Sequence, residues 1–259
     1  MVKINEKRGE ITTQQIVMLI ILILSFSVIL FLIFRLDLGQ ITNEEICRNS
    51  VILKGKSTLK TGNLDCRTSY VCISGGGDCE GINPTKTVEV KGDSAEIEKQ
   101  VMKALAEEMT SCWFIFGEGK VDYVEGIFRD RNTCAICSIL SFDSLTKESI
   151  SYSEFYEYLT KNKRSDSQTY SQYLYASNNK ENLEELFPED YFDKELDFDK
   201  EYFILTGRFE TGIVTEFLNP FNSKYWDFEF DNLPHPVVIL ENTPENYGVL
   251  GCKEFVTKA

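Results

Sequence analysis

Eight cysteines, one histidine and a crowded run of carboxylates are the side chains of this 259-residue chain whose types and spacing could do chemistry. The cysteines are Cys47, Cys66, Cys72, Cys79, Cys112, Cys134, Cys137 and Cys252. Sulfur in such a set can ligate zinc, exchange electrons or form structural bridges. A zinc site wants two Cys-x-x-Cys knuckles or additional histidines, and the chain offers one such pair, Cys134-Ala-Ile-Cys137, with His235 as its only histidine. A redox Cys-x-x-Cys sits where a strand ends and a helix begins, so that the helix terminus lowers the first thiol's pKa. Here the surrounding residues, CAICSILSF, read as a buried strand. Positions three apart on a strand face opposite sides, so Cys134 and Cys137 are expected to bond to different partners. An even number of cysteines reads as a disulfide framework in an oxidising compartment. The connectivity is not readable from spacing.

His235 is held between Pro234 and Pro236 in what reads as a turn, with no Gly-x-Ser-x-Gly nucleophile motif anywhere in the chain. A serine or cysteine hydrolase that needs a histidine base is therefore disfavoured. Gly119-Lys120 lacks the upstream glycine and the following Ser or Thr of a phosphate loop, which disfavours nucleotide enzymes. No cofactor is implied. The carboxylates Glu189, Asp190, Asp193, Glu195, Asp197, Asp199 and Glu201 crowd thirteen residues. Within them Asp197, Asp199 and Glu201 alternate in a way that could present oxygens to Ca²⁺, although the glycine that an EF-hand turn requires is missing. The plainer reading is a solvated charged face. A surface enzyme, either a metal- or carboxylate-dependent hydrolase or a thiol oxidoreductase using the Cys-x-x-Cys pair, is the second functional reading.

What positions these groups is set by a greasy segment upstream. Residues 16–34 (IVMLIILILSFSVILFLIF), opening on Ile16 and closing on Phe34, contain no charge. At about 1.5 Å per residue they make a helix of roughly 28 Å, close to the ~30 Å hydrocarbon core of a bilayer. The apolar run is longer than the ~7–15 residues of a cleavable signal, and it is followed by Arg35 and Asp37 in place of a small-residue cleavage site. A retained, single-pass signal anchor is expected, in contact with membrane lipid over Ile16 to Phe34. Lys3, Lys7 and Arg8 precede it, while Asp37, Glu44 and Glu45 follow, so the N-terminus is expected in the cytoplasm and the remainder outside. The domain plan is thus a cytoplasmic segment (1–15), a transmembrane helix (16–34) and an extracytoplasmic domain (35–259), with a possible subdivision near residue 165. All eight cysteines fall on the outer side of this plan.

Net charge agrees with an exposed, soluble outer domain. The chain stands at −14, and residues 36–259 hold 23 basic against 39 acidic side chains. Such a domain repels nucleic acid, and no basic stripe with interleaved aromatics is present.

The elements of the outer domain can be traced by periodicity. Asp93 and Glu96 open a helix over residues 94–116, along which Ile97, Val101, Leu105, Met109, Cys112, Trp113 and Phe116 recur at three- and four-residue spacing before Gly117 stops it. Its apolar stripe ends in Cys112-Trp113, so a disulfide is expected to tie the helix end to the core. A capping box from Ser151 to Glu154 opens a shorter helix, and Tyr170, Tyr173 and Leu174 predict another turn or two. Strands are expected over 87–91, 134–142, 202–209, 226–231, 236–241 and 250–256. Helices grouped between strands predict an α+β fold, disulfide-stabilised, with a mainly antiparallel sheet and the long helix packed on it.

Two resemblances add to this. The segment Lys7-Arg8-Gly9-Glu10-Ile-Thr-Thr-Gln-Gln-Ile16, running straight into the apolar stretch, resembles the class III signal of archaeal type IV pilin-like proteins. That resemblance implies cleavage after Gly9 and retention of the helix for assembly. Cys112-Trp-Phe-Ile-Phe-Gly-Glu-Gly-Lys120 together with Cys134-Ala-Ile-Cys-Ser138 resembles a family of single-pass surface proteins of small-genome archaea, which implies an archaeal cell envelope and no particular activity. The expected role is therefore structural or binding, at the outer face of a cell membrane, with envelope proteins or further copies of the chain as partners.

Overall fold

The computed structural model describes residues 13–35, 43–57, 63–77, 79, 81–124, 133–176, 191–210, 232–249 and 252–258, and the chain divides into two units, 1–42 and 43–259. The described residues of the first unit form one helix, α1 (Thr13–Arg35), of 23 residues, about 34 Å of rise. Its apolar side chains are exposed on every side, from 47% at Ile16 to 71% at Met18. The only polar groups within the stretch satisfy themselves: Ser25 Oγ donates to the Leu22 carbonyl at 2.9 Å and Ser27 Oγ to that of Ile23 at 2.8 Å. Side chains are described for residues 14–29, sixteen positions, or about 24 Å of helix. Among the described residues, then, no helix is long and apolar enough to cross a membrane. Residues 30–34 of the expected span, like the pilin-like residues 7–12, lie outside what is described at side-chain level.

The second unit is an α+β domain. It opens with α2 (Asn43–Lys56), then β1 (Ser69–Ser74), β2 (Lys86–Glu89), α3 (Ser94–Ile115) and β3 (Thr133–Asp143). A smaller section follows: β4 (Ser149–Ser151), α4 (Tyr152–Lys161), β5 (Lys163–Ser165), β6 (Gln168–Thr169), α5 (Tyr170–Tyr175) and β7 (Glu195–Asp197). Then come β8 (Tyr202–Glu210), β9 (Asn232–Glu241), α6 (Pro244–Val249) and β10 (Glu254–Phe255).

The main sheet has the order β2-β1-β3-β8-β9, with β10 also on β3. The antiparallel expectation holds for β3, β8 and β9, whose ladders are the longest, but β1, β2 and β10 join in parallel, so the sheet is mixed. The reason is covalent. Parallel strands need a crossover connection, and α3 supplies it by carrying the chain from β2 to β3 across the intervening β1.

The long helix forms for the reasons its sequence gives. Asp93 caps it by accepting from the amides of Ala95 and Glu96, each at 3.0 Å, and Ile97, Val101, Leu105, Met109, Cys112 and Trp113 are all buried. Helix α4 has the reciprocal capping box of Ser151 and Glu154. Helix α5 has a second one, Thr169 with Gln172. The polar stretch near residue 165 is the β5–β6 hairpin, inside the single unit 43–259.

Two further expectations change. Pro234-His235-Pro236 is not a turn but part of β9, where His235 pairs with Gly207. Sheets admit proline on edge strands and at irregularities, and β9 is an edge strand with a register shift between Leu205 and Gly207. Of the expected strand 250–256, the described residues 252–256 form a strand only at Glu254–Phe255. The expected strand 226–231 lies outside the described residues.

Four tyrosines seal the outer edge of β9. Tyr175 donates its hydroxyl to the Val237 carbonyl at 2.7 Å, and Tyr191 and Tyr152 donate to Ile239 at 3.0 and 3.4 Å. The Tyr156 hydroxyl lies 3.0 Å from that of Tyr191 and 3.3 Å from that of Tyr175. Burial pushes the Tyr156 phenol up to about 12, so the network stays neutral and donating. An edge strand is otherwise a template for unwanted pairing.

Candidate functional site

The sulfur atoms resolve into four bridges, and no cysteine is free. Cys47–Cys66 ties α2 to the segment before β1, and Cys72–Cys79 closes the glycine turn after β1. Cys112–Cys137 joins the end of α3 to β3, and Cys134–Cys252 joins β3 to the C-terminal segment. Cys134 and Cys137 therefore do bond to different partners. The Cys-x-x-Cys pair holds no dithiol, and exchange between its own two sulfurs is not what this geometry prepares.

The carboxylates of the acidic run are spread, not gathered. Asp197 ends β7, and its Oδ1 accepts from the amide of Asp199 at 3.0 Å, which is a local turn. Glu201 accepts from Ser141 Oγ at 3.4 Å and from Asn242 Nδ2 at 3.0 Å. Asp193, Glu195 and Asp199 are exposed, while Glu189 and Asp190 lie outside the described residues. Among the described residues no group of three or more Asp, Glu, His or Cys could hold a metal ion.

The most organised polar surface is one that sequence reading passed over. Helix α3 ends in a left-handed turn, Gly117, Glu118 and Gly119, with φ of 81°, 56° and 73°. A side chain at Gly117 would meet Val121, so glycine is required there. Glu118, however, is a non-glycine residue in the left-handed region, a conformation that costs on the order of 1–3 kcal/mol and persists only where the surroundings dictate it. Its carboxylate accepts the Tyr173 hydroxyl at 2.8 Å and the Lys120 ammonium at 3.1 Å.

Two arginines belong to the same cluster, each stacked on a ring. The Arg48 guanidinium of α2 lies 3.4 Å from the centre of the Phe114 ring and donates to the Phe114 carbonyl. The Arg164 guanidinium of β5 lies 3.9 Å from the centre of the Tyr173 ring. Phe114 remains 41% exposed. Although burial alone would raise Glu118, hydrogen bonds from Tyr173 and Lys120 and the field of Arg48 hold it below its usual range. Burial and the adjacent Glu118 carboxylate hold the Tyr173 phenol well above its own. The pair is thus fixed as carboxylate and neutral donor.

The residues of this cluster are 48, 114, 118, 120, 164 and 173, from four elements and a turn. Sequence reading marked only the helix stop at Gly117 and the helical turn that carries Tyr173. Another ion pair, the buried Glu108 with the exposed Lys86, has a different character: Glu108 is 6% exposed and its carboxyl is raised by burial beyond what Lys86 offsets.

No protein family model, curated protein or solved structure matches this chain.

Proposed function

We propose that this chain is a membrane-anchored protein whose disulfide-bridged α+β domain works outside the cytoplasm by binding, as a structural or adaptor component of the cell envelope. The observation that carries the reading is the pairing of all eight cysteines in the unit that follows α1. Four bridges persist in an oxidising compartment and not against cytosolic thiols. Supporting it, α1 is apolar all round, the behaviour of a helix whose solvent is lipid, and the uncharged sequence from Ile16 to Phe34 matches a bilayer's thickness. Basic residues ahead of the helix and acidic ones behind it support the orientation. The likeness to archaeal pilin-like and single-pass surface proteins points the same way. The ordered surface around Glu118 supports recognition of a partner, because arginine and aromatic side chains held in place are what protein interfaces use as anchors.

The test combines fractionation with thiol mapping. The full chain is expected to stay with membranes through alkaline carbonate washing, and its cysteines to react with maleimide only after reduction. Recovery in the soluble fraction with reactive thiols before reduction would overturn the proposal.

A further inference from the structure

We propose that the arginine–aromatic surface formed by Arg48, Phe114, Lys120, Arg164 and Tyr173 docks a second copy of this chain through the acidic turn at residues 193–201 of that copy. The inference extends the binding role above and does not depend on the anchor.

The surface is an exception within its own protein. Acidic residues outnumber basic ones by 41 to 27, yet here Lys120 and Arg48 act on the Glu118 carboxylate and Arg164 lies over its hydrogen-bond donor Tyr173. That carboxylate is already occupied, since Glu118 takes Tyr173 and Lys120. Among the described residues neither Arg48 nor Arg164 has a carboxylate within salt-bridge distance. Each guanidinium instead lies over a ring, at 3.4 Å for Arg48 and 3.9 Å for Arg164. Stacking occupies the guanidinium face and leaves N–H groups at its edge, which is the arrangement that receives carboxylates bidentately. It also removes rotamer freedom before any partner arrives, so less is lost on binding.

The complementary surface is on the same chain. The turn from Asp193 to Glu201 presents Asp193, Glu195, Asp199 and Glu201 outward. Of the lysines among them, Lys200 is engaged by Glu241 at 3.0 Å. Patch and turn are built from different elements: α2, the end of α3, β5 and α5 on one side, and β7 with the start of β8 on the other. A contact between them either closes as a two-fold dimer with reciprocal patch-to-turn contacts or, head-to-tail, propagates into a ring or a filament. Copies at −14 repel at long range, so the attraction is local and weakens as salt screens it.

Charge reversal on the full chain in detergent micelles or nanodiscs tests this by sedimentation velocity. Wild type is expected to associate with concentration. Arg164→Glu alone, and Arg48→Glu with Arg164→Glu, should weaken association at least tenfold, as should Asp193→Lys with Asp199→Lys, with circular dichroism unchanged. Mixing the arginine and the aspartate variants should restore association, because each retains the surface the other has lost. A wild type that stays monomeric, reversals without effect, or a mixture that fails to reassociate would overturn the proposal, as would capture of a different acidic macromolecule by a monomeric wild type. A protein that pellets with membranes yet never self-associates would refute this inference and leave the anchored binding role standing.

Discussion

Cys112, in the last turn of α3, is bonded to Cys137, the residue that the register shift between Ile136 and Ser138 inserts into β3. The bulge turns an extra side chain out of strand alternation and toward the helix, and Cys134, three residues earlier, is left to bond with Cys252. One short strand segment thereby holds both the crossover helix and the C-terminus.

The four bridges should not be equivalent in stability. Cys134–Cys252 closes a loop with a sequence separation of 118 and Cys72–Cys79 one of 7. On the chain-entropy account, removing the first costs about 5 kcal/mol and the second about 2 kcal/mol. Paired Cys→Ser variants compared by urea unfolding should fall in that order. A larger loss for Cys72–Cys79 would mean that native contacts, not loop closure, dominate.

Much of this arrangement was legible before the coordinates, and the failures have physical causes. The α3 stripe, the Asp93 cap and the Ser151–Glu154 box follow from local periodicity and capping, which the tertiary structure keeps, whereas Cys134 and Cys137 do take different partners but across a bulge at Cys137 that the sequence does not report. Strand β1 was not legible. Ser69–Ser74 is buried on both faces at its centre, so Val71, Cys72 and Ile73 form a short run with no alternation to mark it. The cluster around Glu118 was illegible for a different reason. Its geometry comes from residues 48, 164 and 173, brought together by packing, and a Gly-Glu-Gly sequence reports only that a turn is present.

Gly75 should be intolerant of any side chain. A Cβ there would stand 2.2 Å from the Ser144 carbonyl oxygen, a backbone atom that cannot swing aside, and the Gly75 amide donates to the Asp143 carbonyl at 3.0 Å. Gly75→Ala should cost about 1–3 kcal/mol, as overpacking does, with a correspondingly lower Tm by calorimetry. An unchanged Tm would show that the loop after β3 can shift.

The seal on β9 predicts a penalty for losing one oxygen. In Tyr175→Phe the buried Val237 carbonyl loses its 2.7 Å donor and Tyr156 loses a neighbour. A buried acceptor left without its partner costs about 1–3 kcal/mol, although the ring itself still packs. Chemical denaturation should read that loss, and hydrogen exchange should quicken at the β9 amides relative to those of β1. Wild-type exchange at β9 would remove the hydroxyls from any role in closing the edge.

The pH response separates Glu118 from Glu108. Glu118 is held below its usual range in the folded state by Tyr173 and Lys120, despite partial burial. Its contribution is therefore complete above the unfolded value, about 4.3, and is lost as pH falls through the lower folded value. Glu108 is raised by burial, so the folded state prefers its neutral form. The corresponding penalty is absent below the unfolded value and grows until pH has passed the folded one. Glu118→Gln should accordingly destabilise at pH 7, and its deficit against wild type should narrow as pH drops below about 4. Thermal unfolding across pH 3 to 7 measures both curves. A deficit that stays constant with pH would mean that Glu118 acts through shape alone and that its charge is not what Tyr173 and Lys120 hold.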